Sequence, residues 1–106
     1  MLYMAYYPIK PLFSLGTIAF SVGARSLGID LSRLIRRHMS GDWGDVSDYD
    51  IEMNQAALTT AGAVISQYQV TDAGGISRSL SVMTEADRSI TILWLNSEDP
   101  DITGYE

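Results

Sequence analysis

Three stretches between Ala63 and Asn96 constrain the fold more than anything else in this chain. Ser77 to Thr84 alternates, with Leu80, Val82 and Thr84 on one side and Ser79, Ser81 and Met83 on the other. Ser89 to Asn96 sets Ile90, Ile92 and Trp94 against Thr91, Leu93 and Leu95, so both of its faces ask for cover. Ala63 to Val70 is rich in β-branched and aromatic residues. A period of two is the pattern of strands. The connections are short: Asp72-Ala73-Gly74-Gly75, then Glu85-Ala86-Asp87-Arg88. Short, turn-forming links make neighbouring strands antiparallel, so the expectation is a three-stranded meander.

Two helices precede it. Asp30 is a candidate N-cap for a helix from Leu31 to Met39, with Leu31, Leu34, Ile35 and Met39 facing the core and Arg33, Arg36 and Arg37 outside. Ser40-Gly41 stops it. Ser47 caps a second helix, with Asp48 and Asp50 in its first turn, running to about Thr59. Ile51, Asn54, Gln55 and Leu58 mark its inner side. Gly16 to Phe20 suits a first strand, and Val22 to Leu27 one helical turn ended by Gly28. The prediction is an α+β domain of order β-α-α-β-β-β, two helices packed on one face of a small antiparallel sheet, over residues 15–96. Residues 1–14, with Pro8 and Pro11, read as an irregular arm, and 97–106 as a frayed acidic tail.

A chain of 106 residues fits one domain. It has no cysteine and a single histidine, which excludes disulfides, thiolate chemistry and a multi-histidine metal site; no metal or cofactor is expected. The apolar run from Pro11 to Ala24 is broken by Ser14, Gly16, Thr17 and Ser21 and follows a single lysine, so it is not read as a secretory leader. No run approaches a membrane span, and the expected location is cytoplasmic. Net charge is −6, which disfavours direct nucleic-acid binding and favours a partner with a basic surface.

Three constellations carry polar chemistry. His38-Met39-Ser40-Gly41-Asp42-Trp43-Gly44-Asp45 brings together a candidate base, a hydroxyl, two acids and a tryptophan between two helices. Turn-forming and capping are its default roles, and its spacing fits no hydrolase motif. Asp42, Asp45, Asp48, Asp50 and Glu52 place five of the thirteen acids in one short stretch without a Lys or Arg. Their register is wrong for a calcium loop, so they read as a partner-binding surface with Trp43 as its anchor. Thr84-Glu85-Ala86-Asp87-Arg88-Ser89 offers a polar site of Glu85, Asp87 and Arg88 should it fold against His38; an ion pair from Glu85 or Asp87 to Arg88, Arg36 or Arg37 is the plainer expectation. The basic stripe of Arg33, Arg36 and Arg37 beside the acids leaves a homodimer open.

The string His38-x-Ser40-Gly41-Asp42-Trp43-Gly44-Asp45, with Asp50, Asn54, Ala57-Leu58 and then Thr84 to Ser89, resembles a group of small proteins of bacterial plasmids, integrative elements and prophages. The resemblance covers about residues 15–96. It implies a mobile-element setting and brings no activity with it. The expected function is accordingly a binding protein that occludes a host defence system, by anti-CRISPR or anti-restriction action, its partner a CRISPR effector or nuclease. The alternatives are a small hydrolase using His38 with Asp42 or Glu85, or a dimeric regulatory module.

Overall fold

A computed structural model describes residues 11–98. The expected arm at residues 1–10 and the acidic tail beyond residue 98 lie outside the described residues. The elements run β1 (Thr17–Phe20), α1 (Val22–Arg25), α2 (Ser32–Met39), α3 (Asp48–Ala57), β2 (Val64–Thr71), β3 (Ser77–Thr84) and β4 (Ile90–Leu95). This is an α+β fold, as the alternation requires. The meander pairs as expected: β2 antiparallel to β3, and β3 to β4.

The sheet departs from expectation at one edge. Its order is β1-β4-β3-β2, and β1 lies parallel to β4, so the sheet is mixed. Tight hairpins dictate the direction of β3 and β4, whereas β1 is free to dock on the unused side of β4. The consequence is that β1 and β2 occupy opposite edges. The chain must cross the whole sheet between them, and α1, α2 and α3 do this.

The helices are on one face. Ala24, Leu27, Leu34 and Ile35 pack on Tyr68, Leu80, Val82 and Leu93 to form the main cluster. A second cluster joins Phe13, Trp43, Ala57 and Val64. Phe13 thus belongs to the core although the sequence assigns it to the arm. In α2 the buried residues are Leu34, Ile35 and His38; Met39 is only half-buried. Asp30 sits one residue short of the cap position, held by Leu31, but its carboxylate still accepts the Ser32 N–H at 3.1 Å. Ser47 caps α3 through the Asp50 N–H at 3.1 Å. That helix buries only Asn54 and Ala57, leaving Ile51 and Gln55 exposed. It lies along the edge of the sheet and not across it, so it needs a narrower inner stripe than a core-covering helix.

Candidate functional site

The segment from His38 to Asp45 closes the outer edge of β2. Gln67 donates its N–H to the Trp43 carbonyl at 3.0 Å, and its carbonyl accepts the Asp45 N–H at 2.6 Å. Two residues earlier on β2, the Asn54 side chain does the same for Ile65, accepting its N–H at 3.0 Å and donating to its carbonyl at 2.7 Å. An amide side chain and a strand fragment thereby satisfy backbone groups that would otherwise template a foreign strand. Gly44 makes this approach possible. Its φ is +73°, and a Cβ would run into the Gln67 carbonyl. The loop is further fixed by Tyr68, whose hydroxyl donates to the Asp42 carbonyl at 2.6 Å. Burial pushes that phenol up to about 12.

His38 points the other way, into the core, with 0% of its surface exposed. Its neighbours define its protonation. The Thr91 hydroxyl donates to the Leu15 carbonyl at 2.8 Å, and a carbonyl only accepts. Thr84 therefore donates to Thr91 (2.6 Å) and must accept from Nε2–H of His38 at 2.9 Å. Nδ1 then accepts the Ser66 hydroxyl at 2.6 Å. The result is a polarised chain, Ser66 to His38 to Thr84 to Thr91 to Leu15, buried across three strands. Burial lowers the imidazole to about 4, because the charged form would lose its solvation without gaining a counter-charge. Phe13 and Trp43 flank the ring edge-on at 5.3 and 6.1 Å.

The two sequence motifs do meet, but inside the core and through Thr84. His38 bonds neither Asp42 nor Glu85. The Asp42 carboxylate forms a two-point ion pair with Arg37, at 2.7 and 3.2 Å, which holds it below the usual carboxylate range. Arg37 also lies 4.4 Å over the Tyr68 ring. Ser40 donates to the Arg37 carbonyl at 3.0 Å, closing the helix end. No substrate can reach the imidazole in this arrangement, so His38, Asp42 and Glu85 do not assemble the hydrolytic site considered from the sequence.

Arg88 is a staple. It adopts φ +61°, unusual for a side chain other than glycine. Its guanidinium donates to the carbonyls of Gly62 (2.7 Å), Ala57 (2.9 Å) and Glu85 (3.1 Å), and lies 5.5 Å from the Phe13 ring centroid. It thus caps the C-terminal end of α3 from the β3–β4 turn, where a cation is favoured. It pairs with neither Glu85 nor Asp87. Asp87 instead accepts the Ser89 N–H at 3.0 Å, and its hydrogen bonds to Ser89 lower its carboxyl.

The partner-facing expectation needs one correction. Trp43 is 5% exposed and stacks on Phe13 with ring centroids 6.3 Å apart, so it does not anchor an outside contact. The acids that continue from it are at the surface. Asp45, Asp48 and Glu52 are exposed and Asp50 is half-buried, and none of them has an ion pair among the described residues. Beside them stand Tyr49, 68% exposed, and Met53, 50% exposed, one helical turn apart on α3. Sequence reading missed this pair. Their signal was present, since Tyr49 and Met53 share i,i+4 spacing about a quarter turn round the helix from Asn54 and Ala57.

Among the described residues no three His, Asp or Glu side chains gather to hold a metal ion, and no helix is long and apolar enough to cross a membrane. Compared with known proteins, the chain matches no family profile, no curated protein and no solved structure.

Proposed function

We propose that this protein is a binding module that docks the outer side of α3 onto a basic surface of a partner protein. What carries this reading is the exposed Tyr49–Met53 pair set among Asp45, Asp48 and Glu52, none of which forms an ion pair among the described residues. An aromatic and a methionine supply desolvated contact, and surrounding carboxylates steer and orient a cationic partner. The rest of the segment supports this rigidly. Ser47 and Arg88 secure the two ends of α3, and Asn54 ties its middle to β2. A preorganised helix loses little entropy on binding.

The mobile-element setting implied by the His38–Asp45 and Thr84–Ser89 pattern suggests the class of partner. It is the nucleic-acid-binding surface of a host defence complex, a CRISPR effector or a restriction nuclease, which the acidic helix would occlude. A pull-down against such complexes, with an interference assay alongside, tests this. Tyr49→Ala is expected to weaken capture by roughly tenfold, in the range of an interface hot spot. Reversal of Asp45, Asp48 and Asp50 to lysine is expected to abolish it, and added salt to weaken it. Capture that survives the triple reversal would defeat the proposal.

A further inference from the structure

The outer edge of β2 is capped at both ends and open between them. The N–H and C=O of a residue point to one side of its strand, and that side alternates along the chain. Ile65 and Gln67 bond outward, to Asn54 and to the Trp43–Asp45 segment, so the outward groups of this strand are those of its odd-numbered residues. Just past the strand Ala73 keeps the pattern, donating its N–H to the Leu27 carbonyl at 3.0 Å. Between these caps lie Gln69 and Thr71. Among the described residues nothing bonds their outward N–H and C=O groups. The Gln69 side chain is engaged elsewhere, accepting the Ser77 hydroxyl at 3.3 Å.

This gap borders a groove of about 270 Å³ between β2 and α2. Ile29, Leu34 and Val70 give it an apolar lining, and Arg33 and Arg37, one helical turn apart, give it positive charge. Arg33 is exposed and forms no ion pair among the described residues, whereas Arg37 is paired with Asp42. A second hollow of about 240 Å³ shares both arginines and adds Arg36. Three of the chain's seven basic residues thus gather here although its net charge is −6. The acid on the groove, Asp30, is engaged by the Ser32 N–H at 3.1 Å and hydroxyl at 2.6 Å.

We infer that the gap binds an acidic peptide segment in extended form, which adds to the β2 edge at Gln69 and Thr71 and sets a carboxylate on Arg33. The open carbonyls decide between a peptide and a simple anion. A carbonyl only accepts, so phosphate gains nothing from those of Gln69 and Thr71, while a peptide backbone supplies both the donors and the acceptors that the edge lacks. The guanidinium then selects an acid among the peptide's side chains. From Gln67 to Ala73 the edge runs roughly 20 Å, room for about five extended residues. So small a contact belongs to the weak, transient class. It does not depend on the acidic surface of α3, which favours the opposite charge.

Titration of the full chain with a capped five-residue peptide of alternating glutamate and valine, followed by amide NMR, tests this. The expected result is saturable shifts centred on the Gln69 and Thr71 amides. Arg33→Ala should weaken binding roughly tenfold, the range of one charge-assisted hydrogen bond, and Tyr49→Ala should leave it unchanged. Gln69→Pro removes one outward N–H, a change that a strand edge tolerates, and should also weaken binding. Should that variant not fold, the same peptide with N-methylated backbone reads the contact from the ligand's side. No shifts up to millimolar peptide overturn the inference, as do shifts centred elsewhere. Equal binding of the glutamine-for-glutamate peptide, or of the N-methylated one, overturns it too. Inorganic phosphate binding Arg33 as tightly as the peptide would make this a small-anion site and overturns it equally.

Discussion

The two faces of this sheet bury apolar surface in different ways. The helix-covered face is buried, with Tyr68, Leu80, Val82 and Leu93 at the centre, yet it also holds a continuous polar chain from Ser66 to Leu15. On the opposite face Ile65, Met83, Ile92 and Trp94 are half-buried, and no described helix packs on them. The buried hydroxyls and the imidazole from Ser66 to Thr91 each find a partner, and among the described buried side chains only the Trp43 Nε1–H has none. The lesson is that satisfaction of hydrogen bonds, not polarity as such, decides what a core admits.

The sharpest break of that comparison is a pair of adjacent truncations on β4. Leu93→Ala, at a fully buried position, is expected to cost about 2–5 kcal/mol in urea unfolding. Its neighbour Ile92→Ala, half-buried on the opposite face, should cost roughly 1 kcal/mol. Equal costs would mean that the opposite face is packed as fully as the helix side.

Next in size is the pH dependence of the covered face. The folded chain holds His38 neutral down to about 4, whereas an unfolded histidine takes up its proton near 6.5. The unfolded state therefore binds more protons as pH falls. The contribution is fully present above about 6.5 and is lost progressively down to about 4, for a total of roughly 3 kcal/mol. Carboxylates such as Asp42, themselves held low by hydrogen bonds, titrate below this window and stay separable. Replacing His38 with Gln should flatten the slope between about 6.5 and 4.5, and an unchanged slope would remove the imidazole from the account.

The smallest effect is expected at the surface of the loop. Asp42→Asn weakens the ion pair to Arg37, in which both side chains are about half exposed, and should cost no more than about 1 kcal/mol. Thermal unfolding in low and high salt measures it. A larger loss would show that the pair fixes the β2 edge cap, not merely its rim.

Much of the fold was legible in residues alone. The alternation in β3 and β4, the turns between them, and the Ser47 cap each express local rules of period and hydrogen bonding. The polar constellations were legible only as candidates. His38, Asp42 and Glu85 share a neighbourhood in sequence or motif, but a helix turns His38 inward while the next loop turns Asp42 out. Thr84 and Thr91 face the core by the same alternation that places Leu80 and Leu93 there. A sequence cannot say that such hydroxyls will find an imidazole. The direction of β1 was illegible for a related reason, since its partner lies more than 70 residues away and no short turn dictates it.

The sequence by itself determined an acidic α+β domain with a β-meander, helices ended by Ser40-Gly41 and begun by Ser47, and an acidic start to α3. These follow from interactions within a few residues. Tertiary structure alone decided that His38 is a core residue, that Trp43 is an interior plug and not an anchor, that Asn54 and Gly44 close a sheet edge, and that the described helices all pack on one sheet face. Each of those depends on which distant backbone group or side chain arrives to satisfy a donor or fill a space, and chain crossing from one sheet edge to the other sets that arrival.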